Sequence, residues 1–403
     1  MLNNRERWPF VGRGAVALKL DDPTRESARR DQLVSAWLPV AWSNDVGGVT
    51  VGVRNRSNYL GRYDRGFLLA TVATGTGATD RIGVYGRWSN PIRHPLPRTE
   101  TSIAAWKVEG RGGVALSIDR ALRRHLDFGA DPHAGFDALW MATTNVSYLD
   151  RRLWDDGGTV EAGPWVSTAL DHRGTQMRAR LAARGGLAYS HPGQGVTTLR
   201  RYDVEGFGRF TGEGSVRTPF PLGTTLGVRL FGGAYAGRSL PLLQRRIPIA
   251  GADPYETFTG PLLRSRGAVF VRPGFYYHAP GNGNLRGFGT AVAGEWAITT
   301  NVELARSIFR RPRGVLRGVS LMGFVDAGVV DPDAVPAADP ADSYTTLYDG
   351  GLGVVFEARA WQTSWTTRVE LPLVVNRWDF ARQQPDGAAR AAFRWQISLS
   401  PSF

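Results

Sequence analysis

The residues that most often carry chemistry are present in this chain, but not at spacings that would let them act together. Its six histidines, His94, His125, His133, His172, His191 and His278, are far apart in sequence and form no His-Glu-x-x-His metal pattern. No Gly-x-Ser-x-Gly elbow is present to raise a serine nucleophile. Gly75-Thr76-Gly77 closes a strand-like run instead of opening a helix, so it makes no phosphate cradle. The acids between Asp331 and Asp342, with their repeated Asp-Pro pairs, read as a solvated loop and lack the ligand spacing of a calcium loop. The expectation is a protein that is not an enzyme, with no catalytic residues, no cofactor and no metal. What remains is charge placed inside alternating apolar segments. Glu303 and Asp326 stand in such segments, and an acid facing lipid is expensive, so both should face an enclosed polar interior.

The elements that would position these charges are strands. From Arg390 to Phe403, Phe393, Trp395, Ile397, Leu399 and Phe403 fall on one side of a period-two pattern, and Arg394, Gln396, Ser398, Ser400 and Ser402 fall on the other. The same dyad recurs upstream, over Leu33 to Ser43, Val49 to Arg56, Phe67 to Thr76, Arg81 to Ser89, Thr101 to Glu109 and Gly113 to Arg120. It continues over His133 to Asn145, Pro164 to His172, Gln176 to Tyr189, Thr198 to Thr211 and Thr224 to Gly237. After a long insertion come Val292 to Ala305, Gly318 to Val330, Gly351 to Ala360, Thr366 to Val375 and the terminal segment. The fold class is therefore all-β: a transmembrane antiparallel β-barrel of about sixteen strands, with every second residue against lipid. Parity places Phe324, Asp326 and Gly328 inward on one strand and Thr299, Asn301 and Glu303 inward on its neighbour.

Composition agrees with this class. The chain has 403 residues with 50 Gly, 13 Trp and no Cys, which fits many turns and interfacial aromatics. No apolar run of about 18 residues occurs, so a membrane helix is excluded, whereas a barrel needs none. The formal charge of +13 raises nucleic-acid binding as a possibility. The arginines are dispersed over polar strand faces, however, with no motif or stacking platform. A cationic lumen, or a rim meeting anionic lipid head groups, accounts for the charge, and no nucleic-acid partner is expected.

Domain organisation reads as a mixed-charge lead-in over residues 1–32 and a barrel over 33–403. A long sixth-loop insertion spans 238–290, within which Ala268 to Tyr277 reads as an extra strand. Asp155-Asp156-Gly157-Gly158 and His191-Pro192-Gly193 read as turns. The lead-in lacks the charged start, apolar centre and small-residue cleavage site of a secretory signal. The expectation is a mature product, or the carboxyl-terminal piece of a longer exported protein.

Three ordered patterns carry a family resemblance. Leu285-Arg286-Gly287-Phe288 is similar to the (Val/Ile/Leu)-Arg-Gly-(Phe/Tyr) loop motif of the outer-membrane assembly and translocation superfamily, also called the bacterial surface antigen family. Gly294 and Glu303 match that family's spaced glycine and glutamate, and Phe324-Val325-Asp326-Ala327-Gly328 its aromatic-x-Asp-x-Gly strand. Asn58-Tyr59-Leu60-Gly61 is a softer match to its Asn-x-Leu-Gly turn. The resemblance covers about residue 33 to Phe403 and includes BamA- and TamA-like barrels and two-partner secretion transporters. It implies that the sixth-loop arginine, Arg286, folds into the lumen and hydrogen-bonds Asp326, with Glu303 as a second partner and Gly294, Phe324 and Gly328 on the same walls. It also implies residence in the bacterial outer membrane among lipopolysaccharide. The partners it implies are unfolded outer-membrane protein clients or a secreted passenger, handled through a seam between the first and last strands. The family's periplasmic POTRA repeats are not found in the chain, which leaves room for an upstream POTRA or enzyme domain and for a second reading as a secretion pore or membrane anchor.

Overall fold

The computed structural model describes residues 17–20, 33–44, 47–59, 63–75, 81–90, 98–123, 129–148, 154–190, 204–237, 242–250, 281–288, 293–331, 345–360, 363–376 and 396–402. The strands of the first half are Ala17–Leu20 (β1), Leu33–Asn44 (β2), Gly48–Tyr59 (β3), Tyr63–Ala73 (β4), Ile82–Asn90 (β5), Thr99–Val108 (β6) and Arg111–Ala121 (β7). Then come Asp131–Thr143 (β8), Gly157–His172 (β9), Thr175–Ser190 (β10), Val204–Phe220 (β11) and Thr224–Gly237 (β12). Two short strands, Ile247–Pro248 (β13) and Ala293–Gly294 (β14), pair with each other. The series closes with Trp296–Arg310 (β15), Leu316–Val330 (β16), Thr345–Ala360 (β17), Thr363–Val375 (β18) and Gln396–Ser402 (β19).

Antiparallel registers join β2 to β12 in chain order, pass directly from β12 to β15, and run on to β19. Those sixteen strands (eleven plus five) and the parallel β1 form one seventeen-stranded sheet. This is the expected all-β, barrel-type architecture. Even strand parity puts most of the short turns, such as Arg173–Gly174 and Pro221–Gly223, at one end, together with the start of β2 and the end of β19. The long connections, including the one between β12 and β15, lie at the other.

The period-two pattern sorts the two faces. Val49, Val51 and Val53 are exposed and Thr50 between them is buried; Ile298, Val302 and Leu304 are exposed, and Thr299 and Asn301 are buried. A soluble sheet would bury the first set. Exposed valines and leucines around the outside with buried polar residues within are the arrangement of a sheet whose outer solvent is acyl chain. The apolar residues that are buried cluster inside, where Phe231, Ile247, Ile249, Leu285, Phe288, Ala297, Val330, Leu347 and Val375 pack together.

Several expected boundaries move. The strand expected at Thr198 to Thr211 is Val204–Phe220, because its lower half, rich in Gly and polar residues, has too little alternation to be seen. The strand expected from Gly351 begins at Thr345, where the inward positions Thr345, Leu347 and Asp349 are buried and the chain reads as mixed. The strand expected from Val292 begins at Trp296, with Ala293–Gly294 set apart as β14. Asp155-Asp156-Gly157-Gly158 is not an open turn: both aspartates are buried, and both glycines belong to β9. A Cβ on Gly158 would lie 2.3 Å from the Tyr189 hydroxyl oxygen, so a close strand approach requires glycine there. Of the terminal signal, Phe393, Trp395 and Phe403 lie outside the described residues, and Ile397 and Leu399 are placed in β19 as backbone. Leu60, Gly61, Ala268 to Tyr277 and the cluster at His191 also lie outside them, and of the lead-in only β1 is described.

Candidate functional site: a loop anchored inside the sheet

The connection between β12 and β15 turns inward and its described parts pack on the polar inner face. Residues Gly281–Asn284 make a turn, the tip of the described part of the loop, with Asn282 and Asn284 at φ of 44° and 53°, a left-handed conformation that asparagine tolerates better than most residues. Gly283 N donates to Pro248 O at 3.1 Å and Leu285 N to Ile249 O at 3.0 Å, so the tip is braced by the β13 segment of the same loop. A Cβ on Gly283 would come within 2.3 Å of the Ile249 carbonyl oxygen. Thr299 Oγ1 donates to Gly283 O at 2.8 Å and Asn301 Nδ2 to Asn284 O at 3.0 Å, which ties the tip to β15. Arg229 on β12 donates to Asn282 O at 2.5 Å and to Glu213 at 2.6 Å.

Arg286 follows the tip. Its Nε and Nη2 donate to the two oxygens of Asp326 at 2.7 and 2.6 Å, a bidentate fork, and its backbone N–H reaches Asp326 Oδ2 at 3.2 Å. Nη1 donates to Glu303 at 2.7 Å and to Glu370 at 3.0 Å. The guanidinium carbon stands 3.9 Å from the centre of the Phe324 ring. Only 2% of Arg286 is exposed and Asp326 is fully enclosed. Burial by itself would lower the arginine pKa, but the hydrogen bond and charge of Asp326, with the charges of Glu370 and Glu303, outweigh it and raise it. Leu285 and Phe288 flank the charge and enter the inner apolar cluster. Gly287 touches the wall: a Cβ there would lie 2.6 Å from Asp349 Cβ and 2.7 Å from Val375 Cγ2.

Strand register explains why these acids converge. Asn301 stands opposite Asp326 and Glu303 opposite Phe324 across β15–β16, while Asp326 faces Asp349 across β16–β17 and Gly353 faces Glu370 across β17–β18. Four neighbouring strands thus present polar side chains from three successive rungs of the inner face to the arginine. Arg368, on β18, links Glu370 at 3.0 Å with Glu303 at 2.5 Å and offsets part of the surplus negative charge. The structure therefore brings Leu285, Arg286, Gly287, Phe288, Asp326, Glu303 and Phe324 together. Gly294 stands apart, in β14 opposite Ile247. Gly328 lies further along β16, where a Cβ would meet the Thr299 side chain at 2.7 Å. Sequence reasoning missed Glu370, Arg368 and Asp349. Parity alone marks all three as inward, but only the register says which inward residues lie on neighbouring rungs.

A second anchor was also missed. Leu242, Gln244, Arg245, Ile247 and Ile249 are almost wholly buried. Arg245 Nε donates to Glu161 Oε2 on β9 at 2.9 Å, and its Nη2 pairs with Oε1. Arg184 on β10 joins Glu161 at 3.2 Å to Asp137 on β8 at 3.0 Å. Asp155 accepts from Leu243 N at 2.9 Å, and Asp155 N donates to Gln244 at 3.0 Å. The loop is therefore fixed to β8–β10 through Arg245 and to β15–β18 through Arg286.

These features define an all-β, barrel-type protein with a long loop bound to its inner wall at two charged anchors. No family model matches the chain, and no curated protein matches it. Among solved structures it is similar to CdiB from Escherichia coli, with a TM-score of 0.50 and 12% identity over 93% of this chain and 66% of that one. CdiB from Acinetobacter baumannii matches with a TM-score of 0.44 and 12% identity over 92% of this chain and 61% of that one. The chain spans less than two thirds of the length of either. At such identity the likeness is one of fold.

Proposed function

We propose that this chain is an outer-membrane barrel of the assembly and translocation type that passes a secreted polypeptide, with the β12–β15 loop closing its lumen at rest. The observation that carries this reading is the Arg286 anchor: a loop arginine buried against three carboxylates from β15, β16 and β18. A loop that only decorated the surface would have no reason to bury a guanidinium, since burying an ion pair costs desolvation that surface exposure avoids. The exposed apolar outer face favours insertion in a bilayer, and the CdiB-type fold favours translocation of a secreted passenger. No catalytic role is proposed for the site, where Arg286, Asp326, Glu303, Glu370 and Arg368 pair with one another.

A second reading, insertion of client strands through a lateral seam, draws on one feature. Among the described residues, the four residues of β1 pair in parallel with the edge of β2 away from β3. β19 itself pairs with only seven residues of β18. A weakly paired edge is a template for an incoming strand. Planar-bilayer conductance of the purified barrel tests the first reading: the wild type should be closed with brief openings, and folded Arg286→Ala should hold open. A wild type that conducts steadily, unchanged by the substitution, would overturn the plugged lumen. A disulfide engineered between β2 and β19 that left activity intact would count against lateral gating.

A further inference from the structure

Several strand arginines share the inner face with acids, as Arg229, Arg184 and Arg368 do. The hairpin of β15 and β16 departs from this at the short-turn end. On β15 the outward residues are Ile298, Val302 and Leu304 and then Arg306, which stands opposite the outward Leu321. Past the irregularity at Ser307/Phe309, Phe309 pairs with Val319 on the same outer face. One step further Arg311 N donates to Arg317 O at 2.7 Å, so these two arginines face each other across the hairpin. The Arg311 guanidinium lies 5.4 Å from the Phe309 ring centre, which keeps it on that face. Arg313 is exposed in the turn.

Like charges directly opposite on a sheet repel, and here no acid stands within ion-pairing distance of Arg306, Arg311, Arg313 or Arg317 among the described residues. Arg317 Nε is shielded from solvent without a hydrogen-bond partner. The surroundings are apolar and exposed: Leu304, Ile308, Val315, Leu316 and Leu321. Guanidiniums fringing an apolar band at the end of a membrane strand sit where lipid phosphates lie, and a phosphodiester is the bidentate acceptor such a pair fits.

We propose that Arg306, Arg311 and Arg317, with Arg313 at the turn, form a binding site for the phosphate of an anionic phospholipid headgroup in the leaflet at the short-turn end. The site rests on the reading that the barrel is lipid-inserted. It lies on the outer face, apart from both loop anchors.

The test uses the full chain folded in detergent, and then in vesicles of phosphatidylcholine with or without phosphatidylglycerol. Native mass spectrometry should find phosphatidylglycerol retained in preference to phosphatidylcholine. Retention should fall by about fivefold for each arginine replaced, as in Arg306→Gln, Arg311→Gln and Arg317→Gln, while heat-modifiable mobility reports that the variants are folded. Inorganic phosphate at equal concentration should fail to displace the lipid; full displacement would mean a free-phosphate site and overturn the proposal. Undiminished lipid retention by the folded triple variant would overturn it too, as would preferential binding of polyglutamate over lipid. A wild-type chain that never entered vesicles would instead refute the membrane reading, which separates the two failures.

Discussion

The two anchors of the β12–β15 loop are built from the same chemistry with opposite stoichiometry. At the first, one loop arginine meets an excess of wall acids: Asp326, Glu303 and Glu370 all accept from Arg286, and Arg368 neutralises only part of the remainder. At the second, one wall acid meets an excess of arginines: Glu161 accepts from both Arg245 and Arg184, and Arg184 keeps Asp137 as a further partner. Truncation is most severe at the residue whose charge several buried partners share. The indispensable residue is therefore on the loop at the first anchor and on the wall at the second.

Replacing Arg286 by Ala should have the largest effect, about 3–5 kcal/mol of lost stability, read as a fall in the heat-modifiable folded band and in the urea midpoint. Glu161→Ala should follow at about 3 kcal/mol, because it removes the one buried acid that Arg245 and Arg184 share. Arg245→Ala should be milder than Glu161→Ala, about 1.5–3 kcal/mol, since Glu161 keeps a charged donor. If the order of those two midpoints were reversed, the comparison between the anchors would fail. Gly287→Ala probes contact without touching charge. It should cost about 1–3 kcal/mol by pressing a methyl on Asp349 and Val375. A double mutant of Arg286 and Arg245 sharpens the comparison further: a sum that departs from additivity in the urea midpoints would mean that the loop couples its ends, and strict additivity that they act alone.

Much of this architecture could be read from residue order, and the reason is local. One alternation sets each strand, as at Thr224–Gly237, where the expected and observed limits coincide. The inward facing of Asp326 and Glu303 follows from the same parity. The remainder depends on distance in sequence. Glu370 lies 84 residues from Arg286, and Glu161 lies 84 from Arg245; neither pairing has a motif, and both arise only when many registers are laid side by side. Asp155 and Asp156 resembled an open turn because turn composition is a local signal, whereas their burial is imposed by the loop that folds over them.

The chain contains no cysteine, so a single introduced thiol reports one position without background. Leu285→Cys, beside Arg286 at a site with no exposed surface, should resist a bulky water-soluble maleimide in the folded, lipid-inserted barrel and react fully after denaturation. Rapid labelling of the folded barrel would contradict the account of a loop held inside the lumen.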